Sequence, residues 1–352
     1  GHVIESLSGF GFTYNTLGTA TNIGAGNPAS LADYNHFAMG VSFQYDTEIE
    51  DGVVGVADHR RTLNGGPQSA GTVLPHHNWR FGVAYSKKYS SIIKFEETSL
   101  TVPSDPDGLG SSFSPEFKRS VNTPMLIGAY VLKNALSPAS RLSFGARVGL
   151  DFLNVHEEIL SAEAEVSDRT LSWSIGLKYS QHGEIFNRWQ IGAFYEKGAE
   201  FSEEIEYEGV RLQDNIDGNF VPITSRVEDQ LPDKLSAGFL LQPSSKLMFT
   251  GDVIAVVWDN VNENFENQLE LAANAILLLD QNFSLSIGFF RTHRTSENSF
   301  IDQDQNEAYY FSGGIRFPVS FLNLDLVVAD SHLFSGDWRK QSIVKFGIGA
   351  QL

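Results

Sequence analysis

The chain has 352 residues, no cysteine and a formal net charge of −18. That acidity excludes a nucleic-acid surface, the missing cysteines exclude a disulfide scaffold and a thiolate metal site, and the 12% aromatic content excludes a disordered chain. The pairing of strong acidity with 26 Phe and 32 Gly has no explanation in an ordinary soluble domain.

Residues 1–35 show no strand pattern. Between Glu5 and Asp33 there is no charged residue, and Gly, Asn, Thr and Ala dominate. A solvent-exposed tail normally carries charge, so a polar, uncharged, small-residue segment suits burial among backbone hydrogen bonds. No basic region followed by an apolar stretch opens the sequence, and any export signal is expected to have been removed before this numbering begins. The apolar run Leu271–Leu279 is far too short for a membrane helix.

From residue 36 onward the period is two. Phe37, Met39, Val41, Phe43 and Tyr45 alternate with Ala38, Gly40, Ser42 and Gln44. Leu142, Phe144, Ala146, Val148, Leu150 and Phe152 share one face, with Ser143, Gly145, Arg147, Gly149 and Asp151 on the other. The same holds for Leu171–Tyr179 and for Val344–Leu352. Side chains alternate across a strand, so each segment predicts a strand with one apolar face and one small or polar face.

The segments fall near 36–48, 55–70, 78–98, 122–133, 141–158, 169–181, 188–206, 233–243, 246–263, 267–279, 283–295, 307–317, 320–332 and 339–352, which is about fourteen. Short turns are predicted at Asn134–Ser140, His182–Asn187, Pro243–Ser245, Asp280–Asn282 and Pro318–Val319. Longer loops are predicted at Leu100–Val121, Ile159–Asp168, Tyr207–Pro232 and Ser296–Asn306.

A soluble sandwich and a membrane barrel both produce alternation. The even strand number, the short–long rhythm of connections, the Gly- and Ser-rich second face and the aromatics near segment ends favour the barrel. The expected fold is therefore all-β: a transmembrane antiparallel β-barrel over 36–352, with 1–35 as a short N-terminal hatch inside its lumen. Acid clusters between Glu196 and Asp233. The run suits either a solvated loop or a hard divalent cation, and neither a metal nor another cofactor is expected.

A water-filled porin has a polar lumen. Here the lumen phase offers Tyr130, Phe194, Met248, Ile254, Trp258, Ile276, Leu278 and Tyr310, an apolar lining suited to a hydrophobic ligand. Arg147 and Arg316 share that phase. They can receive the carboxylate of an amphipathic acid or pair with lumen aspartates.

Three stretches carry a family resemblance. Asn27-Pro28-Ala29-Ser30-Leu31-Ala32, just before the first strand, resembles the Asn-Pro-Ala-Gly-Leu-Ala element of the FadL family of outer-membrane transporters. Leu231–Gly238 resembles that family's Leu-Pro-x-Lys strand opening, and Ser245–Trp258 resembles the strand that follows. Ser30 stands where the family has glycine. The resemblance implies passive uptake of fatty-acid-like molecules in the bacterial outer membrane. Asn27, Pro28 and Ala29 would lie in a gating hatch, and membrane lipids would surround the barrel. It also implies sideways exit at an inward strand kink, for which Lys87–Ser91, where the alternation breaks, is the candidate. An alternative is a FadL-like barrel that serves an export complex as a PorV-like subunit with an outer-membrane protein partner. None of the nine histidines joins a catalytic pattern, so no enzyme is expected.

Overall fold

The computed structural model describes residues 7–8, 11–51, 59–95, 98–100, 111–113, 116–159, 162–183, 186–213, 220–261, 267–279, 283–293, 307–332 and 340–352. Fourteen strands form one ring: β1 (Ala38–Asp51), β2 (His59–His76), β3 (Trp79–Phe95), β4 (Glu116–Lys133), β5 (Ser140–Ile159), β6 (Ala162–Gln181), β7 (Arg188–Glu196), β8 (Asp233–Gln242), β9 (Leu247–Val257), β10 (Gln268–Leu278), β11 (Ser284–His293), β12 (Glu307–Val319), β13 (Leu322–Asp330) and β14 (Lys340–Gln351). Each runs antiparallel to the next. β14 pairs with β1 from Gln351 opposite Ala38 to Lys340 opposite Ile49, and this closes the sheet. Closure removes the unpaired edges that a membrane interior cannot hydrate.

Turns at one end are tight. His77, Asn134 and Ser320 take positive φ of 53°, 59° and 60° there, the left-handed conformation that reverses a strand within a few residues. The predicted turn Asp280–Asn282 and loop Ser296–Asn306 lie outside the described residues, as do Asp214 and Asp217 of the acidic run.

The outward phase carries an apolar band. Phe144 and Val148 on β5, Leu171, Ile175 and Leu177 on β6, Phe239 on β8 and Val253 on β9 are all exposed on the isolated chain. An apolar surface of that extent belongs in lipid. Aromatic pairs mark its margins. Trp79 with Tyr130 (ring centroids 4.8 Å) and Tyr179 with Trp189 (5.2 Å) lie towards the tight turns, and Trp173 with Tyr195 (5.4 Å) lies further up the wall.

Three predicted loops are strands in whole or in part. Glu116–Val121 of the expected loop Leu100–Val121 belongs to β4 and pairs with β3, while residues 101–110 and 114–115 of that loop lie outside the described residues. The expected loop Ile159–Asp168 is the upper part of the β5–β6 hairpin, paired from Ala162 opposite Ile159 onward. Above the band the polarity of the faces inverts: Ala164 is buried inward while Glu165, Ser167 and Arg169 are exposed outward. A reading tuned to apolar-outward strands sees only polar residues there. The expected loop Tyr207–Pro232 contains most of a second hairpin, Glu200–Gln213 with Phe220–Gln230, bulged between Tyr207 and Arg211.

Among the described residues the wall has two long interruptions, besides a short one at Thr123–Pro124 between β4 and β5. β2 and β3 pair at Thr62–Ile93 and again at Ser69–Ser86, with no ladder between. There β3 carries a bulge at Lys88, and the Gln68 side chain donates to the Lys87 carbonyl (2.7 Å). Between Glu163 and Ser174, β6 likewise has no ladder partner on its β7 side. The Lys197 amide to the Trp173 carbonyl (3.0 Å) and the Ser202 amide to the Asp168 carboxylate (3.1 Å) bridge it.

Candidate functional site: the barrel lumen

The residues before β1 pack against inward-facing groups of strands around the ring. Asn27 is the hinge of this arrangement. Its Oδ1 accepts from the Ala29 amide (2.9 Å) and caps the 3₁₀ turn Pro28–Asp33, with Pro28 at the first helical position. Its Nδ2 donates to the carbonyls of Leu177 (3.0 Å) and Ala193 (3.2 Å) on β6 and β7. Wall glycines make this approach possible. A Cβ on Gly145 would lie 2.3 Å from the Ala29 nitrogen, and one on Gly176 would lie 2.0 Å from Asn27 Oδ1. Gly145 and Gly176 face each other across the β5–β6 ladder.

Four further clamps hold the segment. Asp252 accepts from the backbone amides of Tyr14 (3.2 Å) and Asn15 (3.0 Å) and from the Asn15 side chain (2.8 Å). Asn274 bonds both backbone groups of Phe12, accepting from its amide at 2.9 Å and donating to its carbonyl. Asp33 pairs with Lys178 (2.7 Å) and Arg188 (3.3 Å). The Arg80 guanidinium donates to the Tyr34, His77 and Trp79 carbonyls. Burial, and secondarily Asp33, hold the Tyr34 hydroxyl above its ordinary range, so it stays neutral.

A charged cluster sits beside the turn Gly24–Gly26. Lys88, thrust inward by the bulge, pairs with Asp151 (3.2 Å) and Glu196 (3.0 Å) and donates to Ser172 (3.0 Å). Thr123 and Ser172 donate to the other Asp151 oxygen at 2.7 and 2.9 Å. Arg147 pairs with Glu196 through one nitrogen and donates to the Gly24 carbonyl through the other. Glu196 therefore joins the β3 bulge to the N-terminal segment. Burying such charges is tolerable only because each is paired and further hydrogen-bonded.

Apolar residues lie to either side of this cluster. Phe194 and Ile254 are buried with Tyr14 and Val256, with Trp258 packed against them, and the Tyr14 and Phe194 rings are 5.0 Å apart. Met248 and Ile276 are buried with Leu240, flanked by Leu17 and Leu278. Tyr310 belongs to a third patch with Phe12 and Phe290, its hydroxyl bonded to Gln341. Higher in the lumen, Val121, Leu153, Val155, Ala164, Ala199 and Phe201 form a patch edged by Tyr89 and Leu231. The sequence reading missed this upper patch because its residues lie on stretches whose polar face points outward.

Of the predicted lumen residues, Phe194, Met248, Ile254, Trp258, Ile276 and Leu278 fall on β7, β9 and β10 and their ends, one arc of the ring with β8 between β7 and β9. Tyr310 lies elsewhere on the ring. Tyr130 lies on the outward phase with Leu126, which is 66% exposed, and its ring packs at a tilt against Trp79. The reason is that both faces of β4 are apolar (Met125, Ile127 and Ala129 inward, Leu126 and Leu132 outward), so hydropathy gives no contrast. Arg316 makes a two-nitrogen pair with Asp325 at 2.5 and 2.6 Å. Both predicted arginines thus already hold a protein carboxylate.

These features define a closed, fourteen-stranded transmembrane β-barrel with a partly apolar lumen. Its fold is that of the FadL-type transporters. The Ralstonia pickettii toluene transporter TbuX superposes with a TM-score of 0.66 at 13% identity, over 99% of this chain and 98% of that one. The Pseudomonas putida toluene transporter TodX gives 0.63 at 14%, over 99% and 96%. A Pseudomonas aeruginosa FadL homologue gives 0.65 at 12%, over 98% and 95%. No protein-family model and no curated protein matches the sequence.

Proposed function

We propose that this chain is a bacterial outer-membrane channel for passive uptake of hydrophobic small molecules, with residues 1–35 acting as a hatch in its lumen. The observation that carries the reading is the apolar lining. A barrel that conducted water and ions would present polar side chains where Phe194, Met248, Ile254 and Ile276 are buried. The toluene carried by TbuX and TodX, whose fold this chain shares, agrees with such a lining.

In this reading a hydrophobic molecule leaves water at the loop end and enters the upper patch around Val121, Leu153 and Phe201. It then passes the charged cluster towards Tyr14 and Phe194. Cavities beside the cluster and the hatch turn are about 10 and 20 Å³, room for one or two waters, so passage requires the hatch to shift. The interrupted β2–β3 ladder beside Lys88 supports sideways exit into the membrane there. Flow is downhill and no bond is made or broken, so the chain is not an enzyme. Cells carrying the chain in their outer membrane should take up radiolabelled toluene faster than cells carrying an empty vector. Equal rates would refute the proposal.

A further inference from the structure

Cations gather at the tight-turn end of the lumen. Five consecutive strands each bring one there on the inward phase: Arg80 on β3, Lys133 on β4, Arg141 on β5, Lys178 on β6 and Arg188 on β7. Arg80 and Lys178 are buried, while Lys133 and Arg141 are exposed at the rim. Arg141 is near enough to act electrostatically on Arg80, on Lys178 and on His182 in the turn after β6, and Arg188 acts on the last two. Asp33, paired with Lys178 and Arg188, is the one carboxylate among the described residues that meets any of the five. Glu184 of the β6–β7 turn lies outside the described residues, and with it counted the cations still lead by five to two. Lys133 and Arg141 stand directly opposite each other in the β4–β5 ladder, and among the described residues neither side chain has a hydrogen-bond or ion-pair partner. Like charges opposite each other across a ladder repel. The chain nevertheless places no acid between them, although it has 43 Asp and Glu against 25 Lys and Arg.

We propose that this row of cations is a docking site for an extended acidic segment of a periplasmic protein. The inference goes beyond the channel reading and takes from it only the outer-membrane setting, in which the short turns of a barrel face the periplasm. The geometry selects this occupant in two ways. The row lies on the inward phase, turned from the surrounding lipid, so headgroups of the bilayer are not its natural counter-ions. It also crosses three strand spacings from Lys133 on β4 to Arg188 on β7, about 14 Å. One carboxylate or phosphate can bridge Lys133 and Arg141 but does not reach Arg188 as well. An extended chain advances about 3.3 Å per residue, so about five residues carrying acidic side chains span the row. Each contact at an exposed rim contributes modestly and is screened by salt, so the affinity comes from several contacts made together.

The experiment measures binding of fluorescein-labelled hexaglutamate to the purified barrel at pH 7 by fluorescence anisotropy, in neutral detergent and in nanodiscs. It compares wild type with Lys133→Gln/Arg141→Gln, with Arg141→Glu, and with the control Lys118→Gln, an exposed lysine at the opposite end of β4. Each is checked for barrel folding by heat-modifiable electrophoretic migration. The two rim cations are exposed and repel, so neither rim variant should unfold more easily than wild type. Wild type should bind the peptide with an affinity that falls as salt rises. The double variant should bind about tenfold more weakly, the loss of two exposed charge contacts. Arg141→Glu, which removes one cation and engages Lys133, should weaken binding to a similar extent, and Lys118→Gln should bind like wild type. Absence of binding by wild type would overturn the proposal, as would unchanged affinity in the folded rim variants. Displacement of the peptide by free glutamate at equal carboxylate concentration would overturn it by reducing the row to a single-anion site. Binding in phosphatidylcholine nanodiscs that is lost in phosphatidylglycerol nanodiscs would overturn it by assigning the row to lipid headgroups.

Discussion

Replacing Gly145 by Ala should undock the Asn-Pro-Ala element while leaving the barrel closed. The new Cβ would sit 2.3 Å from the Ala29 nitrogen and 2.3 Å from the Pro28 carbonyl carbon, both backbone atoms that cannot rotate away. An optimal non-bonded separation is about 3.5 Å, so the element must retreat by about 1 Å. That retreat breaks the Asn27 Nδ2 bonds to Leu177 and Ala193, each about 1 kcal/mol. Overpacking adds about 1–3 kcal/mol. A total of about 3–5 kcal/mol lowers the docked-to-undocked ratio by a factor on the order of a hundred to a few thousand. The β5–β6 ladder opposite Gly176 is backbone-made and persists. Hydrogen exchange in detergent should therefore accelerate at residues 13–34 and stay slow in β5 and β6, and single-channel ion conductance should rise. Gly128→Ala is the control, because a Cβ there meets nothing within 4 Å. Unchanged exchange at 13–34 in Gly145→Ala would refute the claim that wall glycines dock the segment.

Two further substitutions test the outer wall and the lumen. Ile175→Arg places a charge within the outward band, on a residue 54% exposed, and should destabilise the folded barrel by about 2–4 kcal/mol in lipid unfolding titrations. Arg316→Ala leaves the buried Asp325 without its two-nitrogen partner and should cost about 3–5 kcal/mol, read as a fall in unfolding midpoint, with Arg316→Lys recovering only part of it.

The strand count and the inside–outside phase of most strands were legible because lipid demands an apolar outer face where the lumen accepts Gly, Ser and Asp. β9 is the clear case, with Phe249 and Val253 outward and Thr250 and Asp252 inward. Legibility failed where that contrast vanishes. β4 is apolar on both faces, so the alternation does not distinguish the outward side of Tyr130 from the lumen side. Above the membrane the contrast reverses, so the stretch from Ala164 to Asp168 read as loop.

The charged cluster shows a different limit. Lys88, Asp151 and Glu196 belong to β3, β5 and the end of β7, and no local pattern can announce contacts across such separations. One local trace did exist: the alternation breaks at Lys87–Lys88, where the extra residue turns a lysine inward. Lys88, forced into the lumen, is met by carboxylates, and a carboxylate buried to meet it can serve a second cation at little further desolvation cost. The wall bulge and the turn Gly24–Gly26 thus come to share Glu196, through Lys88 on one side and Arg147 on the other. Loosening either contact weakens the hold on Glu196 that the other relies on, so the N-terminal segment and the β3 bulge are energetically linked through this one carboxylate.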